Sequence, residues 1–135
     1  IACPRIAILG ANERVDPQMP TGAETLMVAR LAQEEWRDRA VVEGPVAVDL
    51  ALNPRVALSE GINTAVPGNA DILIVPNVEA GNIMCKGMQY FAGAQLAAVI
   101  VGARAPLLIN SRADDATTRL HTLGMAVVWV AGQAS

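Results

Sequence analysis

Asp71-Ile-Leu-Ile-Val-Pro-Asn-Val-Glu-Ala-Gly-Asn82, DILIVPNVEAGN in one-letter code, is the stretch on which the reading of this chain turns. Ile72 to Val75 is a continuous apolar run, which suits a strand covered on both faces and hence the interior of a parallel sheet. Pro76 ends the run, and Asn77 to Asn82 forms an acidic, glycine-containing turn. Ile83, Met84, Gly87, Met88 and Phe91 then recur at helical spacing, so a helix is expected from Ala80 to Ala92 with Gly93 beyond its end. Ligands of α/β proteins bind at the C-terminal ends of strands, and the polar groups Asn77, Glu79 and Asn82 lie at such an end.

The same alternation extends in both directions. Arg5 to Leu9 (RIAIL), Ala40 to Val42, Leu96 to Val101 (LAAVIV) and Leu107 to Ile109 read as further strands. Thr21 and Glu24 have capping-box spacing and predict a helix running toward Trp36. A short helix is expected to start with Pro45 at its first position and stop at Asn53-Pro54, with a further turn reaching Gly61. The last helix is expected from about Asp114, with Leu120, Leu123, Val127 and Val130 on its apolar face and Arg119 and Thr122 off it. Strand alternating with helix predicts a single α/β domain over residues 1–135, a three-layer α/β/α sandwich on a mainly parallel sheet. Binding chemistry is then expected at Gly10 to Met19, Gly44-Pro45, Asn77 to Asn82 and Asn110 to Asp115.

Composition excludes several function classes. At 135 residues and 53% hydrophobic, the chain can bury one core, yet no apolar run approaches the roughly 20 residues that span a bilayer. Net charge is -3 and the nine arginines are scattered. Trp36, Trp129, Tyr90 and Phe91 are too few for a base-stacking platform, so neither nucleic acid nor a membrane is an expected partner. Cys3 and Cys85 cannot build a disulfide framework, and reduced cytoplasmic thiols are expected. With His121 the one histidine, no metal site is expected. No signal-peptide pattern opens the chain, and its start at Ile1 instead of Met is compatible with a truncated N-terminus.

No G-x-G-x-x-G follows a strand, and Lys86 does not belong to a G-x-x-x-x-G-K-[ST] loop, so Rossmann dinucleotide and P-loop sites are not expected. Ile109-Asn110-Ser111-Arg112 ends a strand and opens a helix, where an anion would meet a guanidinium, a hydroxyl and free N–H groups. Local sequence favours the plainer alternative, in which Ser111, Asp114 and Asp115 cap the helix and Arg112 is solvated. Glu79 to Asn82 divides evenly between a ligand turn and one in which Glu79 complements the helix dipole and Gly81 relieves crowding. Lys86, the sole lysine, follows Glu79 by seven residues and projects from nearly the same helix face. Judged alone, it reads as a solvated helix residue.

Together the segments resemble one family, the phosphate acetyl/butyryl transferases, and most closely the phosphate butyryltransferase-like branch. VDPQMP at Val15 to Pro20, EGPVAVD at Glu43 to Asp49 and ADILIVPNVEAGN at Ala70 to Asn82 with Lys86 carry the resemblance. So do FAGA at Phe91 to Ala94, VGARAP at Val101 to Pro106 and SRAD at Ser111 to Asp114, all in the family's order. The resemblance implies acyl-CoA and phosphate as substrates, acyl phosphate and CoA as products, no prosthetic group or metal, and a cytoplasmic homo-oligomer. It implies a fold similar to isocitrate and isopropylmalate dehydrogenases, of which this chain matches the C-terminal half, with an N-terminal domain absent. Ser111 and Arg112 match the catalytic Ser-Arg pair, while Glu79, Gly81, Asn82, Lys86 and Asp114 match substrate-binding positions. Two positions depart from the pattern: Asn77 stands where Asp is usual, and Thr118 where acetyltransferases carry an acidic residue. The alternatives are a non-catalytic acyl-CoA-sensing or oligomerisation domain, like the transferase-like region of some malic enzymes, and an inactive fragment.

Overall fold

The computed structural model describes residues 1–133 and divides the chain into two compact units, Ile1–Gly81 and Asn82–Ser135. The first unit holds β1 (Arg5–Leu9), α1 (Pro20–Glu35), β2 (Val41–Val46), α2 (Val48–Leu52), α3 (Pro54–Ser59) and β3 (Ile72–Ile74). Its three strands form a parallel sheet in the order β2-β1-β3. β1 is central, with Ile6 opposite both Val42 and Ile72. Side chains alternate across a strand, so Ile6 and Ile8 share one face, where they form a buried cluster with Ala29, Ala40 and Val42. Ala7 and Leu9 point the other way and are equally buried, as are Leu50, Ala51, Ala57 and Val66. This is an α/β fold on a parallel sheet, as the alternation predicts, but β3 is an outer strand of the described sheet with Ile72 and Ile74 exposed, and not the doubly covered interior strand expected of Ile72 to Val75.

The starts of the first two helices differ from expectation. Pro20 occupies the first helical turn of α1, so Thr21 and Glu24 lie inside the helix and no capping box forms; Thr25 Oγ1 instead donates to the Thr21 carbonyl at 2.7 Å. Pro45 does not open a helix. It lies in β2, an outer strand that pairs only with β1, so the missing N–H of a proline leaves no ladder bond unmade on the open side. Gly44 allows the close approach there, because a Cβ would stand 2.8 Å from both the Cβ and the carbonyl oxygen of Ile8. The helix begins three residues later, at Val48.

α4 (Val78–Ala92) and α5 (Ala116–Gln133) follow, with Gly93 at φ +66° just past α4; α4 begins at Val78 instead of the expected Ala80, so Glu79 to Asn82 is helix and not turn. The expected strands Leu96 to Val101 and Leu107 to Ile109 do not form. The two segments meet at one antiparallel bridge, where Ile100 and Leu107 exchange N–H to carbonyl bonds of 2.9 and 3.2 Å. Their apolar runs have strand composition, but a strand also needs a neighbour to complete its ladder and cover its side chains. Here Val101 and Ile109 are more than 60% exposed. The packed face of α5 also differs from expectation. Thr122 and Ala126 are buried, while Leu120, Leu123, Val127 and Val130 are exposed.

Candidate active site

The four sequence-predicted binding loci behave differently once folded. Within β2, beside Gly44-Pro45, the Glu43 carboxylate accepts from Thr64 Oγ1 at 2.6 Å and from the N–H groups of Ala65 and Val66 at 3.1 and 3.3 Å. Its acceptor capacity is used to close the chain's own loop. In the loop after β1, Glu13 Oε1 accepts from Ala47 N–H at 3.4 Å, and Asp16 Oδ1 accepts from Gln18 N–H at 2.8 Å.

After β3, Asn77 Oδ1 accepts from Ala80 N–H at 2.8 Å, so Asn77 caps α4. Asn and Asp cap about equally well, which explains structurally why Asn is accommodated at position 77. Glu79 is exposed in the first turn of α4, where its charge complements the helix dipole. Gly81 has a steric reason: a Cβ there would stand 2.9 Å from Val75 Cγ2. The first turn of α4 lies against the end of β3 because that Cβ is absent.

In the second unit a polar cluster forms around Ser111 to Asp115. Ser111 and Asp114 close a turn on themselves: Asp114 N–H donates to the Ser111 carbonyl at 3.0 Å, and Ser111 N–H donates to Asp114 Oδ2 at 2.7 Å. The second is a short bond to a charged acceptor, the stronger class of hydrogen bond. Ser111 Oγ accepts from Ala113 N–H at 3.4 Å. Asp114 Oδ1 lies 3.8 Å from Lys86 Nζ, and that ammonium also donates to Gln89 Oε1 at 3.1 Å. Asn110 Nδ2 lies 3.5 Å from Asp114 Oδ2 and 3.4 Å from Thr122 Oγ1.

Asp115 caps α5 by accepting from Thr118 N–H at 2.8 Å. That bond, followed by one from the Thr118 hydroxyl, holds the Asp115 carboxyl below its ordinary range. Thr118 is therefore engaged in the cap. Arg112 stands exposed inside the Ser111–Asp114 turn and makes no ion pair or hydrogen bond among the described residues.

The structure thus brings together Ser111, Asp114 and Lys86, with Arg112 on the same turn. Asn82 is exposed on α4 with no partner among the described residues. Among the described residues no group of three or more His, Cys, Asp or Glu could hold a metal ion, and no helix is long and apolar enough to cross a membrane.

A family profile described as phosphate acetyl/butaryl transferase matches residues 1–127. The chain belongs to the phosphate acetyl/butyryl transferase family. Among its relatives are a probable phosphate butyryltransferase of Bacillus subtilis, 41% identical over 92% of this chain, and a phosphate acetyltransferase of Rhizobium meliloti, 38% identical over 95%. This chain spans only 42% and 40% of the lengths of those two proteins. The solved structure of a branched-chain phosphotransacylase from Enterococcus faecalis V583 superposes with a TM-score of 0.80 at 31% identity, over 94% of this chain and 45% of that one. The resemblance carried by the motifs is borne out.

Sequence reasoning missed Thr122 and Gln89 in this family member. Gln89 had a signal, since it stands three residues after Lys86 and shares its helix face. Thr122 had a weaker one. It pairs with Ala126 at i, i+4, a small-residue stripe that the larger Leu and Val side chains outweighed in the apolar pattern.

Proposed function

We propose that this chain is part of an enzyme that moves an acyl group between CoA and inorganic phosphate, and that the Ser111–Asp114 turn belongs to its reacting centre. A phosphate oxygen attacks the thioester carbonyl of acyl-CoA, the carbon–sulfur bond breaks, and the proton carried by phosphate ends on the departing sulfur. The products are acyl phosphate and CoA thiol. Attack puts an oxyanion beside an anionic nucleophile, so the step needs fixed positive charge and preorganised donors.

The observation that carries this reading is the unpaired guanidinium of Arg112 on a turn whose shape is locked by Asp114. Arg112 holds phosphate, and the Ser111 hydroxyl hydrogen-bonds the reacting carbonyl. Lys86 and Asp114 offset each other's charge, so their part is to hold the turn, and Arg112 supplies the uncancelled charge. Glu79 and Asn82 are exposed and available to substrate, while Gly81 acts by letting its helix turn lie close to β3. Residues 1–135 act as one α/β region of a longer cytoplasmic, self-associating enzyme that takes its acyl-CoA and phosphate from solution and uses no prosthetic group.

The test is phosphate-dependent release of CoA thiol from acetyl-CoA and butyryl-CoA by the gene product that contains this chain. Arg112→Ala is expected to lower turnover by about 100- to 1,000-fold, the usual loss when one donor to a developing charge is removed. Binding of acyl-CoA with no turnover would instead identify a sensor domain.

A further inference from the structure

Thr122 is the feature of the second unit that the acyl-transfer reading does not use. It lies in the middle of α5, is only 1% exposed, and is one of two buried polar residues among those described. A threonine in a helix commonly turns its hydroxyl back to its own helix backbone. This one faces outward from α5 to two other segments. Its Oγ1 accepts from Ala98 N–H at 3.3 Å and stands 3.4 Å from Asn110 Nδ2. The same Nδ2 stands 3.5 Å from Asp114 Oδ2, and that oxygen accepts the Ser111 N–H at 2.7 Å. A continuous polar chain therefore runs from the interior of α5 to the backbone of the turn that displays Arg112.

Its arrangement has a physical consequence. Lys86 lies 3.8 Å from Asp114 Oδ1, a distance that supplies attraction but little direction, since an ammonium is a freely rotating point charge. Direction must come from the other oxygen. Asn110 presents a planar amide to Oδ2, and the buried Thr122 hydroxyl in turn sets the plane of that amide. We propose that Thr122 and Asn110 are positioning residues, which fix the rotamer of Asp114 and through it the Ser111–Arg112 turn. Neither touches the reacting atoms. Any kinetic consequence depends on the acyl-transfer reading of the turn, whereas the structural consequence does not.

The experiment is done on the whole gene product containing this chain and combines site-resolved amide exchange with steady-state kinetics. In Thr122→Val, which keeps the side-chain shape and removes the hydroxyl, the Ser111 amide should exchange about tenfold faster, the scale of one lost hydrogen bond. Amides of β1 should be unchanged. Asn110→Ala should produce the same local change, and serves as the test should the Val variant not fold. kcat should fall by about tenfold in both variants while KM for acyl-CoA stays within about twofold, and Thr122→Ser should restore both readouts.

Unaltered exchange at Ser111 in both variants would overturn the proposal. So would a loss that spreads to β1 and is not rescued by Thr122→Ser, because that outcome marks Thr122 as a packing residue. Faster exchange confined to the turn in the two variants, together with a wild-type protein that releases no CoA, would uphold the positioning role and overturn the acyl-transfer reading alone.

Discussion

Arg112 and Lys86 bring the positive charges of the polar cluster around Ser111, and their surroundings divide the work between them. Lys86 Nζ is committed to Asp114 and Gln89, while Arg112 has no partner among the described residues. Lys86→Met should therefore leave Asp114 as an uncancelled negative charge near the proposed phosphate position. The expected result is a several-fold higher KM for phosphate that shrinks as salt is raised, read from phosphate saturation curves at two ionic strengths. At the head of α4, Asn77→Ala should cost about 1 kcal/mol through loss of the cap, and Asn77→Asp close to nothing, measured as urea midpoints. Gly81→Ala should destabilise by about 1–3 kcal/mol because the new Cβ meets the stiff Val75 side chain at 2.9 Å.

Among the elements, the sheet is clamped at its starting edge by an ion pair that joins β1 to the residue just before β3. Arg5 Nε and Nη2 donate to the two oxygens of Asp71 at 3.0 and 3.1 Å, and Arg5 N–H donates to Oδ2 at 2.9 Å. These bonds, the guanidinium's first, hold the Asp71 carboxyl down at about 2 against its ordinary 3.8. The folded chain thus binds this proton more weakly than the unfolded chain. The clamp's contribution is fully present above a pH of about 4, and is lost as pH falls through the folded value of about 2. Urea midpoints followed down through that window should fall more steeply in the wild type than in Asp71→Asn. Parallel curves would show that the clamp contributes nothing.

At the scale of the whole molecule, burial is divided unevenly between the two units. Twelve of the thirteen buried hydrophobic residues described lie in Ile1–Gly81, and Ala126 alone lies beyond it. Local opening is easiest where few apolar contacts resist it. In the 135-residue chain, amides of α5 should exchange faster than those of β1 at equal pH, and an apolar dye should bind the exposed Leu123, Val127 and Val130 face of α5. Equal protection in α5 and β1 would contradict the division.

The amino-acid sequence by itself determined the α/β alternation that places strands at Arg5 to Leu9 and within Ile72 to Val75, the C-terminal end of α4, and the family, because periodicity and motif order are local or linear properties. Ser111, Arg112, Asp114 and Lys86 were nameable for the same reason. Only the tertiary structure decided that Pro45 continues an outer strand and that Leu96 to Val101 and Leu107 to Ile109 form no ladder, since pairing depends on what lies alongside. It also decided that Asp71 clamps the sheet, that Asn77 caps α4, and that Thr122, not its apolar neighbours, is the packed side of α5. Each of those outcomes depends on a partner far along the chain or on the helix boundary that folding sets.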